Sequence, residues 1–356
     1  ELQRRGHRVI MHPVAPDTIR RIWLRRENGS KPFLRAFGKP RCAIGPRRSE
    51  RLATPCAIPS NLRADFALIW ANYNGVWPSA VSTPTLVYEN GFTRGSVQLD
   101  PQGLLGESFY VATLDALVQR GYDPAACSAH VRAHLADDSS KRPQQALADL
   151  PAAILGQYVF VPTQKFDDIS VYKFSNVTYP SLLRETAKFC AERRFPLVVK
   201  VHPHLTGPER SVQAALIRHL NSTHRGSVFE SLASINFLTA HARFTVTLNG
   251  GTLMDNFYTG TPVLTLAPSI FHQTYAVVSA DVRRELCASD VYAGLDHIAG
   301  LAWNEARRAR QFQIVCWYER ASMRIGKTAA ENIEAIEMHF AHALSGRRIS
   351  FAQVGD

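Results

Sequence analysis

The chain has 356 residues, is 46% hydrophobic and has no low-complexity tract, which excludes a disordered polypeptide and predicts about two α/β domains. No apolar run reaches the roughly 20 residues a membrane helix requires, and the lack of a CxxC pair among six scattered cysteines argues against a thiol metal site. The net charge of +11 is concentrated at one end: twelve arginines and two lysines against four acids leave +10 in residues 1–51.

That basic segment fits an acidic polymer or an anionic membrane surface, with Arg20, Arg21, Arg25, Arg26, Arg47 and Arg48 as the contacts. A plain solvated face is the competing reading. No nucleic-acid module signature occurs, so nucleic acid is not expected as a partner. Unpaired cysteines predict a reducing, cytoplasmic setting, peripheral to a membrane if the basic segment docks there. The opening ELQRRGHRVIMHP reads as a helix end followed by a strand, and predicts a piece of a larger protein.

In chain order, GHRVIMH (6–12), DFALIWA (65–71) and TPTLVYE (83–89) read as short buried strands. Residues 110–135 read as helix, with Leu114, Leu117 and Val118 on one face. The polar stretch 136–151, ending at Pro151, is the predicted linker. Beyond it come the strand QYVFVPTQ (157–164), a helix over 181–194, the strand FPLVVKVHP (195–203) and a helix over 211–222. Next, FTVTLNGGTLMDNFYTG (244–260) reads as strand, glycine turn and helix, and TPVLTLAP (261–268) as a further strand. This alternation predicts βαβ units on a parallel sheet. The predicted division is therefore 1–150, a first Rossmann-like domain; 151–300, a second; and 301–356, helices packing back toward the first.

Polar residues gather where these strands end. Asn249, Gly250, Gly251 and Thr252 form a small-residue turn into a helix start, where free N–H groups and the dipole suit a phosphate. Thr247 adds a hydroxyl. A second strand ends in Lys200, His202, Pro203 and His204, and Pro203 turns the chain out of the strand. A third strand end offers Gln164, Asp167, Asp168 and Ser170. His202 and His204 have the spacing of a metal pair, but no carboxylate, cysteine or DxD motif completes a site, so a metal-free anion site is predicted.

VFVPTQKFDDIS, VVKVHPH and TLNGGTLMDNFYTGTPVLTL, in this order, resemble segments of the bacterial capsule polysaccharide biosynthesis glycosyltransferases of the KpsC/KpsS type. YENGFTRGS (88–96) resembles that family's Glu-Asp-Gly-Phe-x-Arg segment, so the resemblance spans roughly residues 83–275. It implies a GT-B fold, two Rossmann-like domains facing across a cleft, and transfer of Kdo from CMP-Kdo to a glycan or glycolipid acceptor in capsule or lipopolysaccharide synthesis. His202 and Pro203 match the His-Pro motif that contacts cytidine monophosphate in CMP-sugar transferases, and Arg94 is expected to meet the Kdo carboxylate. No cofactor or metal is implied.

One position departs from the family. Asn90 stands where the family has an acidic residue, the nucleophile of its retaining members, and an amide neither attacks nor accepts a proton. Either an Asp-to-Asn replacement stalls the reaction, or Glu89 or Glu107 does the work. An inverting, sialyltransferase-like CMP-sugar enzyme and a catalytically silent polysaccharide- or lipid-binding module remain open as alternatives.

Overall fold

The computed structural model describes residues 8–13, 20–25, 34–35, 66–70, 85–103, 105–111, 113–135, 149–165, 175, 177–203, 205, 207–267, 269–271, 288–325 and 327–345. The fold is α/β, and the chain divides into two compact units. One holds Glu1–Gly91, Ser96–Leu104 and Arg320–Asp356; the other holds Phe92–Gly95 and Leu105–Glu319. The two units alternate along the chain, changing over after Gly91, Gly95, Leu104 and Glu319.

The first unit contains β1 (Arg8–Pro13), β2 (Arg20–Arg25), β3 (Leu34–Arg35), β4 (Phe66–Trp70), β5 (Thr85–Asn90) and β6 (Ser96–Asp100). A late strand, β12 (Met323–Arg324), completes a sheet of order β12-β6-β5-β4-β2-β1-β3. β4–β5 and β1–β3 run parallel and the other neighbours antiparallel, so the sheet is mixed. A tight loop closed by the Gly91 N–H to Ser96 carbonyl bond, 2.8 Å, forces β6 back beside β5. β2 comes from the basic segment, whose arginine content hides its alternating Ile22 and Leu24. Leu86 of β5 and Leu99 of β6 pack with Ala335 and Ile336 of the helix Ala329–Ser345.

The second unit is built on a wholly parallel sheet. Its strands are β7 (Val159–Pro162), β8 (Leu197–Lys200), β9 (Val228–Glu230), β10 (Phe244–Thr247) and β11 (Val263–Thr265), in the order β11-β10-β7-β8-β9. Continuous apolar runs suit strands covered on both faces. Side chains alternate across the sheet accordingly: Val159, Val161, Leu197 and Val199 enter one core, and Tyr158, Phe160 and Val198 the other. The helix Tyr179–Arg193 follows β7; its Thr178 cap accepts from the Ser181 N–H, and Arg194 ends it in the left-handed region. The helices Gly207–Thr223, Ile235–Ala240 and Thr252–Thr259 follow β8, β9 and β10.

The predicted helix over 110–135 is two helices, Leu114–Gly121 and Pro124–Leu135, separated where Pro124 starts a new one. Both belong to the second unit. Leu114 and Val118 are buried, the Gln313 side chain bonds the Tyr122 carbonyl, and Tyr110 packs on Trp317 at 4.9 Å between ring centroids. No helix among the described residues is long and apolar enough to cross a membrane.

The first unit carries a pH liability. His339 is 1% exposed, and its Nε2 bonds the Ala321 carbonyl at 2.7 Å. Burial, reinforced by His342 and opposed by that bond, lowers its pKa to about 4. Below the ordinary histidine value of about 6.5 the unfolded chain binds the proton and the folded one does not. The contribution of neutral His339 is therefore present above that value and lost as pH falls toward 4, a change of roughly 3 kcal/mol. Unfolding free energies measured from pH 7 to 4 should fall over this window, and His339→Gln should flatten the fall.

Candidate functional site

The strand order reverses beside β7. From β7 the chain winds outward through β8 to β9, then crosses to the other side of β7 for β10 and β11. The crossovers leaving β7 and β10 therefore run to opposite sides, and in parallel sheets ligands commonly bind at such a switch point. Gln164 follows β7, and the Asn249–Thr252 turn follows β10.

The two loops touch. Gly250 has φ +107°, and a Cβ there would fall 2.4 Å from Gln164 Nε2. Only glycine accommodates both the torsion and the approach. The Tyr179 hydroxyl donates to Gln164 Oε1 at 3.0 Å, holding the amide against Gly250. Gly251 is the N-cap of the helix Thr252–Thr259 and, being glycine, gives it no side-chain cap. The first of the helix amides to reach backbone acceptors belong to Leu253 and Met254, bonded to the Gly250 and Gly251 carbonyls. The helix start thus presents its positive end at the switch point.

His202 is tied to the same place through β7. Its backbone N–H donates to Thr163 Oγ1 at 3.1 Å, and Thr163 Oγ1 donates to Gln213 Oε1 at 2.8 Å. Gln213, 1% exposed on the helix Gly207–Thr223, also reaches the Gln164 carbonyl at 3.5 Å. Pro203 is exposed in the turn closed by Leu205 N–H to the His202 carbonyl, 3.0 Å. Thr163, Tyr179 and Gln213 escape the motif reading, though each is a polar residue amid an apolar run.

Two of the predicted ligand residues, Lys200 and Thr247, make bonds within the fold. Lys200 Nζ donates to the Ala233 and Leu232 carbonyls at 2.6 and 3.2 Å, and burial, partly offset by Asp149, lowers its pKa. Asp149 fastens the same loop, accepting from Ser231 Oγ and the Leu232 N–H, both at 2.6 Å. Lys200 is thus a strut for the turn after β9, because a desolvated ammonium takes the nearest carbonyls. Thr247 is buried, and its hydroxyl donates to the Asn249 carbonyl at 3.3 Å, shaping the turn from beneath. Asn249 is buried with it.

Asn90 is the exposed last residue of β5, opposite Val97, and half-buried Glu89 lies opposite Gln98; both belong to the first unit. Arg94 is exposed at the hairpin tip, and Glu107 ends the 3-10 turn Leu105–Glu107; both belong to the second. Asp167, Asp168, Ser170 and His204 lie outside the described residues. Among the described residues no group of three or more His, Cys, Asp or Glu is placed to hold a metal ion.

No protein-family profile and no curated protein matches this sequence. Solved structures similar to it include the Thermosulfurimonas dismutans KpsC β-Kdo 2,4 transferase, at 14% identity and TM-score 0.43, over 64% of this chain and 78% of that one. The β-Kdo 2,7 transferase of the same organism's KpsC is similar at 18% identity and TM-score 0.43, over 79% of this chain and 85% of that one. The Escherichia coli heptosyltransferase WaaC, with a bound ADP-heptose analogue, is similar at 16% identity and TM-score 0.31, over 44% of this chain and 50% of that one.

Gly250→Ala should lower stability by about 1–3 kcal/mol, since it forces a left-handed torsion and displaces Gln164. Gly251→Ala has an ordinary φ of −60° and no neighbour nearer than 4.0 Å, and should stay within about 0.5 kcal/mol. Denaturant unfolding of the pair checks this. Lys200→Met should cost about 1–2 kcal/mol by the same measurement, because two carbonyls lose their donor.

Proposed function

We propose that this protein is a GT-B glycosyltransferase that moves Kdo from CMP-Kdo to a glycan or glycolipid acceptor of a bacterial surface polysaccharide. The observation that supports this most is the meeting of the loops after β7 and β10. There an uncapped helix start, a glycine pressed on Gln164 and the His202 turn converge at one switch point. The motif resemblance of the same residues to CMP-sugar transferases supplies the identity of the donor.

In this reading the donor phosphate lies at the amides of Gly250, Gly251 and Thr252. As the sugar leaves, negative charge grows on that phosphate, and fixed N–H dipoles favour the charged state without reorganising. The His202 imidazole, when protonated, adds a charge-assisted bond. These groups carry the leaving-group charge, and no divalent ion is called for. Arg94 pairs with the carboxylate of the sugar as a two-pronged partner.

Asn90 takes the place of a carboxylate nucleophile at the strand end. With an amide there the chain holds its donor but forms the covalent sugar–enzyme adduct of a retaining transferase very slowly. Glu89, one residue earlier on β5, and Glu107 are the acids to which the role passes if Asn90 is not its seat. The basic segment, residues 1–51, faces the acceptor or an anionic membrane.

Calorimetric titration of CMP tests the reading. Affinity should be the same with and without a chelator, and His202→Ala should weaken it by about 1–3 kcal/mol. Asn90→Asp should raise transfer by about 10⁴-fold or more and, without acceptor, add the mass of one Kdo to the peptide containing residue 90. Metal-dependent CMP binding, or full transfer by the Asn90 protein, would sink the corresponding assignment.

A further inference from the structure

The hairpin between β5 and β6 is divided in an unusual way. Its strands belong to the first unit, but its tip, Phe92–Gly95, belongs to the second. The cause is Phe92. Its ring, 6% exposed, packs against Tyr318 and Phe271 at centroid distances of 5.3 and 5.5 Å. Phe271 in turn packs on Phe257 of the helix Thr252–Thr259 at 5.0 Å, so an aromatic row runs from the tip to that helix. The Phe92 carbonyl and ring lie 4.0 Å from where a Gly251 Cβ would stand.

The backbone is held as firmly as the ring. The Phe92 N–H donates to the Tyr318 hydroxyl at 2.6 Å, across 226 residues of sequence, and Tyr318 is 2% exposed. Thr93 is buried, whereas Arg94 and Gly95 are exposed, and Gly95 turns the chain back with φ +65°. A buried phenol whose oxygen meets a main-chain amide fixes position more tightly than an apolar plug, because breaking the bond strands a desolvated donor. Arg94, two residues beyond Phe92, is thereby held within about 7 Å of it along the chain.

We propose that Phe92 and Tyr318 are positioning residues that lock the hairpin tip beside the start of the helix Thr252–Thr259, so that Arg94 reads the acid group of an anionic sugar. This rests on the donor reading above and deepens it. The nucleotide phosphate is held by the glycine turn, and the sugar by a tip that the aromatic lock sets in place. Discrimination between a bare nucleotide and an acidic sugar nucleotide then depends on the lock.

Tyr318→Phe removes one oxygen and keeps the ring, so the fold has little reason to fail. CMP and CMP-Kdo are titrated into the parent chain and into this variant, with Arg94→Ala for comparison. CMP affinity should stay within about twofold, while CMP-Kdo affinity falls about 5–50-fold in both variants. Amide hydrogen exchange over residues 91–96 should quicken by about tenfold or more in Tyr318→Phe, with β7 unchanged. Unchanged exchange and unchanged CMP-Kdo affinity overturn the lock, and equal loss of both nucleotides overturns its selectivity for the sugar. If neither nucleotide binds the parent chain, the donor reading falls and takes the ligand of Arg94 with it. Exchange alone still decides whether Tyr318 holds the tip.

Discussion

The reversal of strand order beside β7 is the constraint on which the candidate site depends. A parallel sheet has to return its chain through crossovers, and only where consecutive crossovers go opposite ways do neighbouring loops part. Between β7 and β10 that parting is bridged by Gln164 set against Gly250. Elsewhere at the same edge, loops close over one another, as the Lys200 strut does on the turn after β9.

Chemistry at the switch point follows from what its neighbours have already taken. Backbone donors that find partners inside the fold are lost to a ligand, and those at an uncapped helix start are not. Any side chain at Gly250 would collide with Gln164, which Tyr179 pins there. Thr163 and Gln213 then bring the His202 turn alongside through bonds of 3.1 and 2.8 Å. Each buried polar atom in this thread has a partner, which is what lets polar residues persist beneath a strand end.

The first unit follows another logic. Its mixed sheet gains two of its neighbours through short antiparallel returns, β1–β2 and β5–β6, rather than through helical crossovers. The β5–β6 return places Asn90 at one side of a tight loop and carries Phe92 and Arg94 in that loop. The tip of the hairpin is held by the aromatic row around Phe92.

The parallel half of the protein was legible in the sequence. Unbroken apolar runs at Val159–Pro162 and Leu197–Lys200, alternating with amphipathic stretches, specify buried strands and covering helices through local patterning alone. The glycine turn after β10 was legible for the same reason, since a torsion of +107° and a close approach demand Gly250. The mixed sheet of the first unit was not, because β2 hides in an arginine-rich stretch and the Asn90-Gly91 turn pair before β6 fits a loop as well as a hairpin. Nor could the sequence show which polar side chains at a strand end are taken up by the fold. Lys200 and His202 stand two apart at one strand end, yet the Lys200 side chain is taken up by the Leu232 and Ala233 carbonyls, while at His202 it is the backbone N–H that is held, by Thr163. Which polar group meets which partner is settled by strand order and by contacts such as Phe92 with Tyr318, 226 residues apart. Local patterning encodes burial and turning, but only the tertiary structure chooses partners for the polar atoms that burial deprives of water.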